Sequence, residues 1–124
     1  IVLAKDGDDY SLPGGHTQIG ETSRETIIRE FKEETGFDVN ALDVISTYEN
    51  FWKWEDKDCH QLCIFYKLKM VDETQELVPN PDTNGTEYVW LELKELKSIN
   101  LYPIGISDQI LNKVNDNTHF IHKE

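Results

Sequence analysis

Between Gly15 and Phe37 the chain reads GHTQIGETSRETIIREFKEETGF, a run whose local chemistry favours one conformation over its alternatives. Thr22 followed three residues later by Glu25 has the form of a capping box, so the spacing predicts a helix that begins near Ser23. Gly36 enters the left-handed conformation at little cost and supplies the stop. At about 100° per residue, Ile27, Ile28, Phe31 and Thr35 fall on one stripe, with Glu30, Glu33 and Glu34 beside it. The carboxylates are thereby set at the boundary between core and water.

Such a cluster works against itself. Glu30 with Glu33, and Glu30 with Glu34, are like-charge pairs that each cost roughly 0.2–0.5 kcal/mol in an isolated helix, a cost that a bound cation removes. Hard cations such as Mg²⁺ or Mn²⁺ take oxygen ligands, keep several waters and complete their shells with phosphate oxygens. Arg29 lies four residues before Glu33 and four after Glu25, so it can orient carboxylates along the helix. Glu21 stands where the helix dipole favours a carboxylate, and capping and catalysis explain it equally well. The preceding Leu12-Pro13-Gly14-Gly15 carries two glycines that let the backbone approach a ligand or the helix.

Position by position, Gly15, Glu21, Arg29-Glu30, Glu33-Glu34 and Gly36, with apolar Phe31 and Phe37, resemble the Nudix box. The resemblance implies an α/β/α sandwich, of α+β or α/β class, in which helices flank a mixed sheet. It implies a Mg²⁺ or Mn²⁺ site with Glu30 and Glu34 as ligands, Glu33 as a further ligand or the proton acceptor, and the Gly14 carbonyl in the coordination shell. Family members often add a glutamate from outside the box; Glu87 is the first candidate here and Glu76 the second, and both also read as solvated charge. Gln18 departs from the many relatives that carry Glu there.

The implied reaction is hydrolysis of a phosphoanhydride in a nucleoside diphosphate linked to a further moiety. In the family, a proline some sixteen residues past the box accompanies ADP-ribose hydrolysis; none occurs here between Phe37 and Val78. A tyrosine near that place accompanies diadenosine polyphosphates, where this chain has Trp52 and Trp54. A nucleoside triphosphate, oxidised ones included, is the first choice, with ADP-ribose, nucleotide sugars or dinucleotides as the alternative enzyme reading and a non-catalytic nucleotide sensor as the alternative class. Phe51, Trp52 and Trp54, read as a loop with Lys53, can stack a nucleobase; they serve core packing or a homodimer contact equally well.

The chain has 124 residues, 38% of them hydrophobic, enough for one core, and residues 1–124 read as a single domain. It opens on Ile1-Val2-Leu3 without Met, where the family has more sequence, so the expectation is a domain lacking its N-terminal strand or strands. With 24 acidic and 12 basic residues and a net charge of −12, it offers no footprint for nucleic acid and would repel an anionic substrate unless a metal recruits the phosphates. No apolar run is long enough for a membrane span and no signal-peptide pattern is visible, which points to a soluble, cytoplasmic protein. Cys59 and Cys63 sit on one expected strand, too far apart to bridge, and with His60 they lack the fourth ligand of a closed zinc site. A first strand is expected before a tight turn at Asp6-Gly7-Asp8-Asp9, further strands near 10–12, 42–48, 60–70 and 88–91, a polar loop at 72–85, and a last helix opened by Pro103 that carries Ile106, Ile110 and Val114.

Overall fold

The computed structural model describes residues 1–78, 86–112 and 118–124. Ten elements follow one another: β1 (Val2–Asp6), β2 (Asp9–Ser11), α1 (Ser23–Thr35), β3 (Val39–Trp54), β4 (Lys57–Met70), β5 (Glu87–Trp90), a 3₁₀ turn (Leu93–Ser98), β6 (Asn100–Tyr102), α2 (Ile106–Leu111) and β7 (Thr118–Lys123). The class is α+β, with two mixed sheets and few helices. One sheet runs β5-β1-β2-β6, antiparallel except where β2 meets β6; the other runs β4-β3-β7, with β3 and β7 parallel.

Strand β1 is buried on both faces, and its alternation divides the core. Val2, 5% exposed, joins Phe31, Phe37 and Val39 beneath α1, whereas Leu3, fully buried, joins Leu96, Leu101 and Ile106 on the other side. Burying one such side chain is worth about 1.5–3 kcal/mol, so this short strand ties the two halves of the core together. Phe120 of β7 stacks on the buried ring of Tyr48, 4.4 Å between centroids.

Helix α1 begins and ends where the local signals put it. Both halves of the Thr22–Glu25 capping box form, and Gly36 closes the helix at φ +81°. The Lys32 ammonium donates to the Gly36 carbonyl at 3.0 Å, a cation at the helix C-terminus. A Cβ at Gly36 would come within 3.0 Å of the Val78 carbonyl oxygen, whose own amide is engaged with Thr35 O at 2.9 Å. Gly36→Ala should therefore destabilise the fold by roughly 2 kcal/mol, the left-handed penalty of about 1–2 kcal/mol plus the close contact. Urea unfolding followed by tryptophan fluorescence measures it, and a midpoint unchanged from wild type would contradict the account.

Three local expectations need correction. The aromatic segment at Phe51 to Trp54 is strand rather than loop: β3 and β4 form one long hairpin whose turn is Glu55-Asp56, both at positive φ (47° and 65°). Such turns normally advertise themselves by Asn-Gly or Asp-Gly, and Glu-Asp gives no such signal. The last helix starts at Ile106 with Gly105 at its N-cap rather than at Pro103, and β6 and β7, whose places are set by pairing with distant strands, were not expected at all. Residues 79–85 of the polar loop, and Val114, lie outside the described residues.

Candidate active site

The site is built on one face of α1 and the loop that precedes it. The helix N-terminus is seated on the base of the hairpin: Arg24 Nη1 donates to the carbonyls of Ala41 and Leu42 (2.9 Å for Leu42), and the Ser23 and Tyr66 hydroxyls lie 2.8 Å apart. Phe31 and Thr35 face inward, and the buried Thr35 hydroxyl is satisfied by the Phe31 carbonyl at 2.6 Å. With those residues fixed, helical spacing leaves Arg29, Glu30, Glu33 and Glu34 along the rim.

Arg29 is the hub. Its Nε and Nη2 grip Glu21 with two bonds (2.8 and 3.0 Å), Nη1 donates to Glu30 Oε1 at 3.0 Å and to both Glu33 oxygens at 3.3 Å, and Nη2 also reaches the His16 carbonyl at 3.3 Å. Glu21 is further held by the Gln18 amide (3.2 Å) and the hydroxyl of buried Thr26 (2.8 Å). These bonds, that to Arg29 first, hold the Glu21 carboxyl down at about 2 and raise the guanidinium above its ordinary value. Thr26 was not singled out from sequence, since a threonine on a helix face carries no signal until its neighbour is known.

Because Glu21 titrates lower folded than unfolded, its contribution to stability is complete above its ordinary value of 4.5 and is lost only as pH falls through about 2. Arg29→Gln removes the principal cause of that shift. The acid-unfolding midpoint of this variant should accordingly move to higher pH, read from tryptophan fluorescence across an acid titration; a midpoint equal to wild type would refute the assignment.

Glu34 is held by the Gly14 amide, which donates to its Oε2 at 3.3 Å. Burial first, and the neighbouring Glu30 charge second, push the Glu34 carboxyl up to about 7. The Tyr88 phenol, half-buried beside it, is pushed up to about 12 by burial and then by Glu34. Gly15 lies against Glu30 so closely that a Cβ there would collide with the carboxyl group.

Glu87, the first outside candidate, starts β5 and is exposed opposite Lys5. Alternation along β5 turns Tyr88 and Trp90 toward α1, where Trp90 lies 5.8 Å from the Phe37 ring, and turns Glu87 to the other face. Glu76 is exposed in the segment after β4. Trp52 and Trp54 lie near the hairpin tip, Trp52 eleven residues beyond Ala41 and so roughly 35 Å along the strand from the helix N-terminus. Strand alternation and distance along the hairpin set Glu87 and the two tryptophans apart from the helix carboxylates. Trp52 instead lines a cavity with Phe51, Lys53, Asp58, Cys59 and Lys123. Both cysteines are free, and His60 is bonded to Glu49 at 3.0 Å.

Among the described residues, no group of three or more His, Cys, Asp or Glu side chains stands placed to hold a metal ion. The α1 carboxylates line one rim instead, with Glu34 raised by burial and then by the Glu30 charge, and with Glu30 lying against the Gly15 backbone where a Cβ would stand. That set fits a hard divalent cation that keeps waters and shares phosphate oxygens with a substrate.

A family model described as NUDIX domain matches residues 1–109. Among curated relatives, a mouse (Mus musculus) protein named bis(5'-nucleosyl)-tetraphosphatase [asymmetrical] is 27% identical over 96 residues, 77% of this chain and 64% of its own length. An ADP-ribose pyrophosphatase of Methanocaldococcus jannaschii is 31% identical over 81 residues, 64% of this chain and 44% of its own length. The chain spans less than two thirds of the length of the curated relatives it matches. Among solved structures, an ADP-ribose pyrophosphatase of Streptococcus suis superposes with a TM-score of 0.66 at 21% identity, covering 96% of this chain and 87% of that one, so the fold is shared. With the family model spanning most of its length and the box residues gathered on α1 as described, the chain belongs to the NUDIX domain family.

Proposed function

We propose that this chain hydrolyses a phosphoanhydride bond in a nucleoside diphosphate linked to a further group, with Mg²⁺ or Mn²⁺ held by Glu30 and Glu34. The observation that carries the reading is the gathering of Glu30, Glu33 and Glu34 on one rim of α1, with Arg29 and Glu21 tying the Gly14–Gly20 loop against them. A divalent cation bound there would supply positive charge to the phosphate oxygens and polarise the attacking water. Glu30 and Glu34 would hold that cation, the bare Gly15 backbone leaves room for the Glu30 carboxylate, and Glu33 accepts the proton of the water that attacks phosphorus. Arg29 holds Glu30 and Glu33 in register, and Glu21 holds Arg29.

A nucleoside triphosphate, oxidised ones included, is the first substrate class. The relatives named as ADP-ribose pyrophosphatases and as a dinucleoside tetraphosphatase support nucleotide-linked diphosphates as the second. With 12 basic against 24 acidic residues, the partner is a small molecule rather than nucleic acid. No described helix is long and apolar enough to cross a membrane.

The test is phosphate or nucleotide release from a panel of ordinary and oxidised nucleoside triphosphates, ADP-ribose, nucleotide sugars and dinucleoside polyphosphates, with and without Mg²⁺ or Mn²⁺. Metal-dependent turnover of one class identifies the reaction. Nucleotide binding with no turnover of any class would replace the enzyme by a sensor.

A further inference from the structure

We propose that buried Thr26 is a positioning residue for the site: its hydroxyl fixes Glu21, and through Glu21 the Arg29 guanidinium that aligns Glu30 and Glu33. The inference rests on the hydrolytic reading and deepens it with a residue outside the fixed positions of the box.

Thr26 is 5% exposed, and its Oγ1 meets three oxygens: Glu21 Oε1 at 2.8 Å, Thr22 O at 2.9 Å and Thr17 Oγ1 at 3.1 Å. One hydroxyl brings one proton to these contacts, so their donors can be assigned. Glu21, gripped twice by Arg29, is an ionised carboxylate with no proton of its own. Two oxygens 2.8 Å apart across that charge need the Thr26 proton between them, with Thr22 O sharing it at the longer distance. The Thr17 hydroxyl is then left to donate to the Thr26 oxygen, which ties the preceding loop into the same chain of bonds.

Two other groups hold Glu21 Oε1: the amide of exposed Gln18 at 3.2 Å, and Arg29 Nη2 at 3.0 Å from a side chain 26% exposed. Of these three donors Thr26 is the buried one. It is also stiff, because a β-branched side chain on a helix has few χ1 states and the bond to the carbonyl four residues back selects one of them. Glu21 is thereby referred to the helix backbone. Arg29, held by both Glu21 oxygens, then presents Nη1 to Glu30 at 3.0 Å and to Glu33 at 3.3 Å.

Thr26→Val keeps the branched shape and removes the hydroxyl, Thr26→Ala removes it without a second methyl against the carboxylate, and Thr26→Ser retains it. In the metal-free protein, solvent exchange of the Arg29 Nε–H, which donates to Glu21, is read by ¹H–¹⁵N NMR. Exchange should speed up about tenfold in both hydroxyl-free variants, the scale of one hydrogen bond to a charged group, and stay near wild type in Thr26→Ser. With the substrate that the wild-type chain turns over, both hydroxyl-free variants should lose about tenfold in kcat with little change in KM. Thr26→Ser should restore the rate, and Thr26→Val in a Glu21→Gln background should cost no more, because its effect passes through Glu21. Exchange or kcat unchanged in both hydroxyl-free variants, equal impairment in Thr26→Ser, or a full further loss in the Glu21→Gln background overturns the role of Thr26 and leaves the hydrolytic reading standing. A wild-type chain without metal-dependent turnover overturns that reading and the catalytic part of this one, and the Arg29 exchange then decides by itself whether Thr26 holds Glu21.

Discussion

Glu33→Gln should lower the rate of hydrolysis by about 10²- to 10⁴-fold while weakening Mn²⁺ binding much less than Glu30→Gln does. The three helix carboxylates are not equivalent. Glu30, 17% exposed, is wedged between Arg29 and the Gly15 backbone, and Glu34 is half-buried and held by the Gly14 amide. Glu33 is 52% exposed and, among the described residues, held only by the longer, 3.3 Å bonds from Arg29. A ligand profits from being fixed, whereas a proton acceptor must reach a water and then release the proton to solvent. Glu33 alone among the three has that freedom. Parallel measurement of turnover and of Mn²⁺ affinity in both variants separates the roles; equal loss of metal in the two would make Glu33 a ligand instead.

Gly15→Ala should cost about 10²-fold in turnover, the scale of a misplacement near 1 Å in a reacting constellation, and leave the melting temperature almost unchanged. Gly15 is not among the residues at positive φ, so alanine suits its backbone. Its Cβ, however, would lie closer to the Glu30 carboxyl carbon and oxygens than such atoms come, and the flexible end of Glu30 would swing aside. The displacement carries the carboxylate away from Arg29 Nη1 and from Glu34 together. Gly14→Ala is the internal control: there a Cβ meets only Ile27 Cδ1 at 3.9 Å, an ordinary contact. Equal activity in the two alanine variants would show that the Gly15–Glu30 approach has no functional weight.

What could be read from sequence was whatever a few adjacent residues decide. The capping pair Thr22 and Glu25, the stop at Gly36 and the rim of Glu30, Glu33 and Glu34 depend on helical spacing alone, and each stands where that spacing put it. What depended on pairing with distant strands was hidden. The turn at Glu55-Asp56 has no glycine to mark it, so Phe51 to Trp54 looked like loop. Strand β6 has only three residues and joins the sheet by lying parallel to β2. Glu87 was chosen for its chemistry; register against β1 sets it opposite Lys5 and turns its neighbour Tyr88 to the face that packs on the Phe31 and Phe37 core. Gly15 was legible as a glycine near the helix; that its partner is Glu30 required the fold.

The loop between the two glycines Gly14 and Gly20 takes its recorded side-chain holds from the helix that follows and from Glu21: Gly14 N to Glu34, His16 O to Arg29, Thr17 to Thr26 and Gln18 N to Glu21. Loop and helix are thus one cassette, moored to the rest of the molecule by the apolar underside of α1 and by Arg24 at its start. A chimera that exchanges residues 14–36 with a relative as a block should keep its internal geometry. One that exchanges the loop alone severs each of these ties at the seam, and evolution of new substrate preference in such a chain has its freest ground in the strands and segments outside the cassette.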